Sequence, residues 1–475
     1  MSQTARIEQD LLGKREVPSS AYYGVHTLRA VENFPISGTP ISAYPDLINA
    51  LALVKKAAAL ANHDLGLLDA ERTHAIVTAC DEVAEGALHD QFVVDVIQGG
   101  AGTSTNMNAN EVIANRALEL MGRPRGDYAA LHPNEHVNMS QSTNDVVPTA
   151  LKVAAWFAIH RLIEAMDELH VAFEEKALEF KDVLKMGRTQ LQDAVPMTLG
   201  QEFSTYAVML SEDMERLRET TLLICEINMG ATAVGTGITA HPGYAECVRM
   251  HLAEITGIPF MTAENLVEAT QDAGVFVQLS GVLKRIAIKL SKVCNDLRLL
   301  SSGPRAGLGE INLPPMQAGS SIMPGKVNPV IPEVVNQIAF EVIGNDVTVS
   351  FAAEAGQLQL NAFLPIIAHT IFKSLTHLRN GCFALSNRCV RGITANRERL
   401  EEHMNRSIGI VTALNPYIGY ANATEIAQEA LRSGRSVADL VVERKLLTKE
   451  RLNEILKPEA LTQPVAPSSN SEWAA

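Results

Sequence analysis

The sequence predicts a mainly α fold built around a central bundle of long helices. Five segments carry apolar residues at alternating steps of three and four, the spacing of one helix face: 155–173, 196–229, 279–300, 328–355 and 364–396. Few segments alternate apolar with polar residues, as a half-buried strand does. A helix of about 30 residues spans roughly 45 Å at 1.5 Å per residue. That exceeds what one compact domain needs, so the pattern also predicts partner helices from further copies of the chain.

Composition and charge are typical of a soluble enzyme. The chain has 475 residues, 47% of them hydrophobic, and a net charge of -14. This length predicts two or three domains with ample core. The acidic balance argues against a nucleic acid or an anionic membrane as partner, because both would require clustered Lys and Arg. Residues 1–4 lack the basic region and apolar run of a signal peptide, and no stretch of about 18 apolar residues occurs, so we expect a cytoplasmic protein.

The six cysteines indicate buried thiols. Most have aliphatic neighbours, and none forms a Cys-x-x-Cys pair; they stand at positions 80, 225, 247, 294, 382 and 389. Because the usual ligand spacing is missing, we expect no metal site built on them.

The most informative stretch reads Gly-Ser-Ser-Ile-Met-Pro-Gly-Lys-Val-Asn-Pro at residues 319–329. Its glycines and prolines exclude regular structure up to Pro329, after which a helix can begin. Lys326 and Asn328 then lie at the N-terminal end of that helix, where free N–H groups and the helix dipole favour an anion by roughly 0.3–1 kcal/mol. Taken alone, the stretch favours an ordinary surface loop with a solvated lysine over a functional one.

Two other segments place Ser, Thr and Asn directly before a predicted helix. Residues 99–108 contain Thr103, and residues 140–145 contain Ser142, Thr143 and Asn144. Helix capping needs one such residue, whereas each segment has four or five. If the three helix N-termini converge, they form a polar, cation-containing pocket for a small polyanion such as a dicarboxylate.

The loop at 319–329 resembles the signature Gly-Ser-Ser-x-x-Met-Pro-x-Lys-x-Asn of the aspartase/fumarase superfamily. Further motifs of the superfamily follow in the family's order over almost the whole chain: 6–10, 17–18, 23–24, the segments around Thr103 and Ser142, and 187–193. A set of long motifs in a fixed order is very specific.

The resemblance implies a three-domain fold. Its parts would be an N-terminal domain at 1–142, a central helical bundle domain at 143–396 and a small C-terminal helical domain at 397–475. It also implies a homotetramer with a twenty-helix core, in which each active site takes residues from three subunits.

Within the superfamily, the chain resembles the ammonia-lyases that act on aspartate more than the class II fumarases. The positions that favour this are 22–27, 102–105 and 415–417. The resemblance implies reversible anti-elimination of ammonia from L-aspartate to give fumarate, through an enediolate intermediate and without an organic cofactor. Gln190 stands where fumarases and some aspartases carry a His, so we expect no proton donor at this position.

The resemblance also assigns roles to individual residues. Ser320 matches the general base, and nearby donors and the charge of Lys326 would stabilise its alkoxide. The expected substrate-binding residues are Thr103, Ser142, Thr143, Asn144, Thr189, Ser321, Lys326 and Asn328, with Gln190 as a further candidate. No metal ligand is expected, and activation by a divalent cation is not readable from the sequence. The segment at 132–135 resembles a secondary anion-binding segment, for which a structural turn is the alternative.

Two other functions remain open. A fumarase would use nearly the same pocket to add water where an ammonia-lyase adds ammonia. A non-catalytic protein could reuse the fold, although the intact loop with Ser320 and Lys326 argues against it. The Gly-x-Gly-x-x-Ala run at 235–240 predicts a turn and no dinucleotide site, because no strand leads into it. The polar, Pro-rich residues 462–470 are expected to be disordered.

Overall fold

The structure is a computed structural model that describes residues 5–462. The predicted disordered tail, apart from Thr462, lies outside the described residues. The helices in this range are α1 Val25–Asn33, α2 Pro45–Asp64, α3 Ala70–Ala84, α4 Thr103–Leu120, α5 Thr143–Glu179, α6 Leu199–Ile224, α7 Tyr244–Thr256, α8 Leu266–Gln271, α9 Gly274–Leu300, α10 Val330–Glu354, α11 Leu364–Arg388, α12 Arg397–Arg406, α13 Ile410–Ile418, α14 Tyr420–Ser433, α15 Val437–Glu443, α16 Lys449–Ile455 and α17 Pro458–Leu461.

The strands are short and occur in pairs. They are β1 Ala5–Asp10, β2 Gly13–Pro18, β3 Leu184–Thr189, β4 Gln192–Thr198, β5 Glu226–Ile227, β6 Met261–Thr262, β7 Ile311–Asn312 and β8 Thr394–Ala395. Three pairs, β1 with β2, β3 with β4 and β7 with β8, are antiparallel, and β5 with β6 is parallel. The prediction of a mainly α protein is therefore confirmed.

All five predicted long helices are present, as α5, α6, α9, α10 and α11. Several of their predicted ends are wrong. The helix predicted over 196–229 begins at Leu199, because Pro196 lies in β4, and it ends at Ile224, before β5. The helix predicted to reach residue 396 ends at Arg388, and a short turn and β8 follow it.

The chain divides into two compact units. Unit 1 comprises residues 1–164, 215–287 and 340–379, and unit 2 comprises residues 165–214, 288–339 and 380–475. Each of the five long helices contributes residues to both units. The predicted three-domain boundaries remain a prediction, although one helix begins at Thr143 and another at Arg397, close to the two predicted boundaries.

In unit 1, α2 is the helix around which the others pack. It contacts α3, α4 and α7, and most of its side chains are buried, including Leu51 and Val54. In unit 2, the C-terminal helices α12 to α16 enclose a separate apolar core around Leu414, Ile426 and Val441. Met186 of β3 belongs to the same core, so the β3–β4 hairpin packs against these helices.

Helix α5 is long and apolar enough to cross a membrane by length and composition. However, 67% of its most apolar 18-residue window is buried inside the protein. That burial is typical of a core helix, so α5 gives no argument for a membrane span.

Carboxylates from distant parts of the chain cap the N-terminus of α1. Glu111 accepts hydrogen bonds from the backbone N–H groups of Gly24, His26 and Thr27, at 2.8, 2.8 and 3.1 Å, and Glu8 accepts one from Val25 at 2.8 Å. These are the N–H groups that a helix start leaves unpaired. The N-terminus of α1 is thus already neutralised from within and cannot serve an external anion.

Candidate active site

The residues around Ser320 form an exposed loop without regular structure, as predicted. The loop is closed at its base, where Gly319 N donates to Lys326 O at 2.8 Å and Asn328 Nδ2 donates to Gly319 O at 2.8 Å. Helix α10 begins two residues after Asn328. The side chains at the tip face solvent, with Ile322 83% exposed. Ser321 and Lys326 are also exposed, so a ligand can reach both from solvent.

The hydroxyl of Ser320 accepts two backbone hydrogen bonds from its own loop. Met323 N donates to Ser320 Oγ at 2.9 Å and Ile322 N at 3.2 Å. In a protonated serine these bonds form a local turn. Because N–H donors stabilise the charged form of an oxygen acid more than the neutral form, the same bonds favour the serine alkoxide.

Thr189 and Gln190 lie at the tip of the β3–β4 hairpin, where Thr189 pairs with Gln192. The two residues of the turn, Gln190 and Leu191, have φ values of +54° and +62°. Both central residues of such a turn favour Asn or Gly, and most other residues there cost about 1–2 kcal/mol because of their Cβ. The hairpin therefore holds an exposed, strained tip, a feature that accumulates at functional sites.

A buried ion cluster anchors this hairpin. Glu310, which is fully buried, lies 2.6 Å from Arg188 Nη1, 3.1 Å from Lys185 Nζ and 3.2 Å from His403 Nδ1. Burial alone would raise the pKa of Glu310, but the charges of Lys185 and Arg188 outweigh it and hold the pKa below its ordinary value. Glu310 directly precedes β7, and Arg188 directly precedes Thr189.

In unit 1, Thr103 is the first residue of α4 and is exposed. The three residues before it, Gly100, Ala101 and Gly102, all have positive φ values, between +57° and +91°. A Cβ on Gly102 would lie 3.0 Å from Val147 Cγ1, so the tight approach of this turn to α5 requires glycine.

The segment containing Ser142, Thr143 and Asn144 forms the start of α5. Ser142 Oγ accepts from Asn144 N at 3.2 Å, and the buried carboxylate of Asp145 accepts from Ser142 N at 2.9 Å and from Thr232 N at 2.9 Å. This reciprocal arrangement is a capping box. Part of the polar cluster thus caps the helix, as the alternative interpretation of this segment proposed.

Asn144 is held by the turn that follows β5. Its Nδ2 donates to Ala233 O at 2.7 Å, and its backbone carbonyl accepts from Asn228 Nδ2 at 3.0 Å. That carbonyl is available because Pro148, four residues later, has no N–H to donate to it. The amide nitrogen of Asn144 is therefore already engaged, whereas the hydroxyls of Ser142 and Thr143 lie only partly buried.

A buried lysine links the two polar segments of unit 1. Lys55 Nζ donates to Asn138 Oδ1 and to Gln141 Oε1, both at 2.9 Å. Asn138 Oδ1 also accepts from Asn106 Nδ2 at 3.1 Å, and Asn106 Nδ2 lies 3.2 Å from Thr143 Oγ1. The network thus connects α2, α4 and the turn before α5, and it brings the segments of Thr103 and Thr143 together.

Burial shifts the acid–base properties of this network. It lowers the pKa of Lys55 to about 7 and raises the pKa of Asp145 to about 6, while the attraction between the two charges partly opposes both shifts. Burial thus disfavours the charged form of each group. Sequence reasoning missed Lys55 because two adjacent lysines in an apolar helix can also lie on its solvent-exposed face. The apolar residues around Lys55 in the sequence were the one sign that its side chain could be buried.

The structure supports a turn at 132–135. His132 Nδ1 accepts from the N–H groups of Asn134 and Glu135, at 3.1 and 3.3 Å, and so caps the single wide helical turn Pro133–Val137. Burial lowers the pKa of His132, which disfavours the protonated ring. The run at 235–240 also lies in turns, as predicted.

The predicted site residues thus fall into two groups. In unit 1, hydrogen bonds through Asn106 and Lys55 join α4, the helix that begins at Thr103, to the segment that contains Ser142, Thr143 and Asn144. Unit 2 carries Thr189 and Gln190 on the hairpin and Ser320, Ser321, Lys326 and Asn328 on the loop. Among residues 5–462, no side-chain hydrogen bond joins the hairpin tip to the loop.

The fold and the serine-bearing loop define a class of helical lyases, and comparisons with known proteins agree. A family model described as Lyase matches residues 13–344, and one described as Fumarase C C-terminus matches residues 410–463. The chain therefore belongs to the lyase family of the aspartase/fumarase superfamily.

Curated relatives narrow this further. Aspartate ammonia-lyases of Helicobacter pylori (strain J99) and Pseudomonas aeruginosa are 58% and 59% identical to this chain, each over 97% of it and 98% of the relative. Aspartate ammonia-lyase of Escherichia coli (strain K12) is 55% identical over 98% of this chain and 97% of the relative.

Two solved structures share the fold. A fumarate lyase:delta crystallin from Brucella melitensis bound to cobalt has a TM-score of 0.95 and 56% identity, covering 97% of this chain and 100% of that one. A class II fumarase from Schistosoma mansoni has a TM-score of 0.92 but 36% identity, covering 98% of this chain and 100% of that one. The fold is thus common to both branches, while the sequence is closer to the ammonia-lyases.

Proposed function

We propose that this chain catalyses the reversible deamination of L-aspartate to fumarate and ammonia. The observation that carries the proposal is the geometry of Ser320, an accessible hydroxyl oxygen that already receives two backbone N–H bonds on a loop with a lysine. A serine with this support can act as a base, whereas an ordinary serine cannot. The choice of ammonia over water follows the relatives, which at 55–59% identity are aspartate ammonia-lyases.

The reaction is an anti-elimination. The Ser320 alkoxide removes the proton from C3 of L-aspartate, and the electron pair of that C–H bond moves into the adjacent β-carboxylate as an enediolate. The pair then forms the C2–C3 double bond while the C–N bond breaks and ammonia leaves. Lys326 and Asn328 stabilise the enediolate charge as it develops.

The remaining residues hold the substrate. Hydroxyl groups of Thr103, Ser142, Thr143 and Thr189 bind the carboxylates and the α-amino group, with Asn144, Ser321 and the candidate Gln190 beside them. Their task is to keep the C–N bond anti to the departing proton. Asn144 offers its Oδ1 for this purpose, since its Nδ2 is bonded to Ala233 O.

We also propose a homotetramer whose active sites take residues from three subunits. Along α10, Phe340, Val347 and Phe351 follow one another at steps of seven and four and are 63%, 52% and 70% exposed. Steps of seven and four place them on one helix face. Such an apolar face in water favours burial against further copies. Four copies of the five long helices would form the twenty-helix core.

No organic cofactor is required, because enzymes of this family are not cofactor-dependent in general. The relative from Brucella melitensis was solved with cobalt, so a metal remains to be tested in this chain. We propose that the protein acts in the cytoplasm on a small-molecule substrate. We propose neither a nucleic acid nor a membrane as its partner.

The first experiment follows fumarate formation in the ultraviolet with L-aspartate, L-malate and argininosuccinate as separate substrates. Fumarate from L-aspartate alone supports the proposal. Activity on L-malate alone would make the chain a fumarase, and inactivity on all three substrates would favour the non-catalytic alternative.

Replacing Ser320 with alanine tests the base. We expect turnover of L-aspartate to fall by about 10²–10⁴-fold, the usual range for lost acid–base catalysis, with little change in KM. The melting temperature should hardly move, because water can bind the two exposed N–H groups that lose their acceptor. The control is Ser433→Ala on α14, whose exposed hydroxyl donates to Glu429 O at 2.7 Å and accepts from Arg435 N at 3.3 Å. Near-normal turnover of Ser320→Ala would exclude this serine as the base.

A further inference from the structure

Three potential metal ligands meet on the surface of unit 1, apart from the residues assigned to the lyase reaction. The Sγ of Cys247, a ring nitrogen of His251 and a carboxylate oxygen of Asp64 all lie within 4.8 Å of one another. Cys247 and His251 are four residues apart on α7, so both side chains point from the same face of that helix. Asp64 is the last residue of α2, which packs against α7.

The donor set fits a borderline transition metal. Thiolate, imidazole and carboxylate are the three groups that Zn²⁺ binds in proteins, at about 2.3, 2.0–2.1 and 2.0–2.2 Å. Ligand atoms around one tetrahedral ion therefore lie about 3–4 Å apart. His251 Nε2 and Asp64 Oδ2 are 2.8 Å apart, so a small rotamer change of the exposed Asp64 opens the space for an ion. Three protein ligands leave a fourth position for water.

The surroundings favour a cation and give it access. Asp64 ends α2, where the helix dipole places its negative pole, and Ala61 O of the same helix lies 4.0 Å from Cys247 Sγ. The side chain of Asp64 is 54% exposed and that of His251 is 21% exposed, so an ion can enter from solvent. Cys247 is also the exception to the expectation of buried thiols: the other five cysteines are buried, and Cys247 is half-buried.

We propose that Asp64, Cys247 and His251 form a binding site for one Zn²⁺-type divalent ion that ties α7 to the C-terminal end of α2. On binding, the Cys247 S–H bond breaks, its proton passes to solvent, and the thiolate sulfur forms a bond to the metal. The hydrogen bond between His251 Nε2 and Asp64 Oδ2 is replaced by a bond from each atom to the ion, and a proton on that ring nitrogen passes to solvent. The sequence shows no such site because His251 and Asp64 are 187 residues apart.

The test uses Co²⁺ as a spectroscopic probe on tag-free, full-length protein stripped of metal with a chelator. We expect one equivalent of Co²⁺ to bind with a sulfur-to-cobalt charge-transfer band, Zn²⁺ to displace it, and the melting temperature to rise with either ion. Cys247→Ser should abolish the band, and His251→Gln or Asp64→Asn should weaken binding at least about tenfold. Asp64→Asn changes an exposed side chain, so it keeps the test valid if the other variants fold poorly.

Two control variants change a cysteine and a histidine that lie outside the proposed metal site. Cys225→Ser changes a thiol that directly follows α6 and donates to Thr221 O of that helix. His74→Gln changes an exposed histidine of α3. Both variants should bind Co²⁺ like the parent protein. Binding without a charge-transfer band, a band that survives Cys247→Ser, or no stoichiometric binding would each overturn the proposal. These readouts do not depend on lyase activity, so the two proposals fail separately.

Discussion

Replacing Glu310 with glutamine tests whether the buried ion cluster stabilises the hairpin that carries Thr189. Glutamine keeps the size of the side chain and one acceptor oxygen but removes the negative charge. Arg188, whose side chain is 16% exposed, then loses its buried counter-charge. We expect the variant to fold but to be clearly less stable.

The magnitude follows from the partners that remain. Removing one member of a buried ion pair costs about 3–5 kcal/mol. Lys185 keeps a second carboxylate, that of Glu202 at 2.6 Å, so the loss should lie near the lower limit, at about 3 kcal/mol. Unfolding entropy of about 2.1 cal/mol/K per residue amounts to about 1 kcal/mol/K for this chain of 475 residues. The melting temperature should therefore fall by about 3 °C.

The assay is thermal unfolding of Glu310→Gln beside Glu425→Gln. Glu425 pairs with Arg444 at 2.9 Å, but its side chain is 66% exposed, so its loss should cost below about 1 kcal/mol. A second readout is pH. The folded-state pKa of Glu310 is lowered, so its contribution is present above the ordinary carboxyl pKa and is lost as pH falls below it. The difference in melting temperature between the parent protein and Glu310→Gln should therefore become smaller at acidic pH. Equal losses for the two variants, or a gap that does not depend on pH, would refute the reasoning.

Three further predictions concern Lys55 beneath the start of α5, the turn before α4 and the tip of the β3–β4 hairpin. Burial lowers the pKa of Lys55 from 10.5 to about 7. Between these pH values the unfolded chain binds the extra proton, so the contribution of this group to stability rises with pH. The melting temperature of the parent protein minus that of Lys55→Met should therefore grow from pH 7 toward about 9.5, and a constant difference would contradict the shift. Gly102→Ala, with φ +91° and a Cβ 3.0 Å from Val147, should destabilise by about 2–4 kcal/mol, more than the control Gly66→Ala, which has φ +72° but open space. Leu191→Asn, at an exposed position with φ +62°, should raise the melting temperature by about 1 °C because Asn tolerates this backbone; a decrease would show that the leucine makes a contact worth more than the strain.

The long helices could be predicted because a repeat of three and four over many turns has one physical explanation, an apolar face. The β3–β4 hairpin could not. Its turn consists of Gln190 and Leu191, which carry none of the Asn-Gly signal of a two-residue turn, and its strands bury residues such as Lys185 that read as polar. The hairpin is stabilised by Glu310, more than a hundred residues away in the chain, and no local pattern reports such a partner.

The candidate site shows the same division. The exposed loop around Ser320 was predictable, since glycines and prolines exclude other structures and the motif is specific. The groups beneath the site were not. Asn138 and Lys55 matter because one oxygen of Asn138 collects donors from Lys55 and Asn106, and that convergence exists only in the folded chain. The proposed ligand set of Cys247 and His251 escaped prediction for the same reason, because its third member, Asp64, comes from another helix.

The start of α5 and the tip of the β3–β4 hairpin are held by buried charged groups, whereas the loop around Ser320 is not, and this difference bears on the mechanism. Lys55 lies beneath the start of α5, and Glu310 pairs with Arg188 directly before the hairpin tip, so displacing either segment would break bonds to a buried charge. The loop around Ser320 is held at its base by Gly319 and Asn328, while its tip is exposed. Loops with few buried contacts open at low cost. Because the two N–H groups that bind Ser320 Oγ belong to the loop itself, they move with it. Support for the alkoxide therefore does not require closure, and closure over the substrate is left to exclude water and to bring the base to C3.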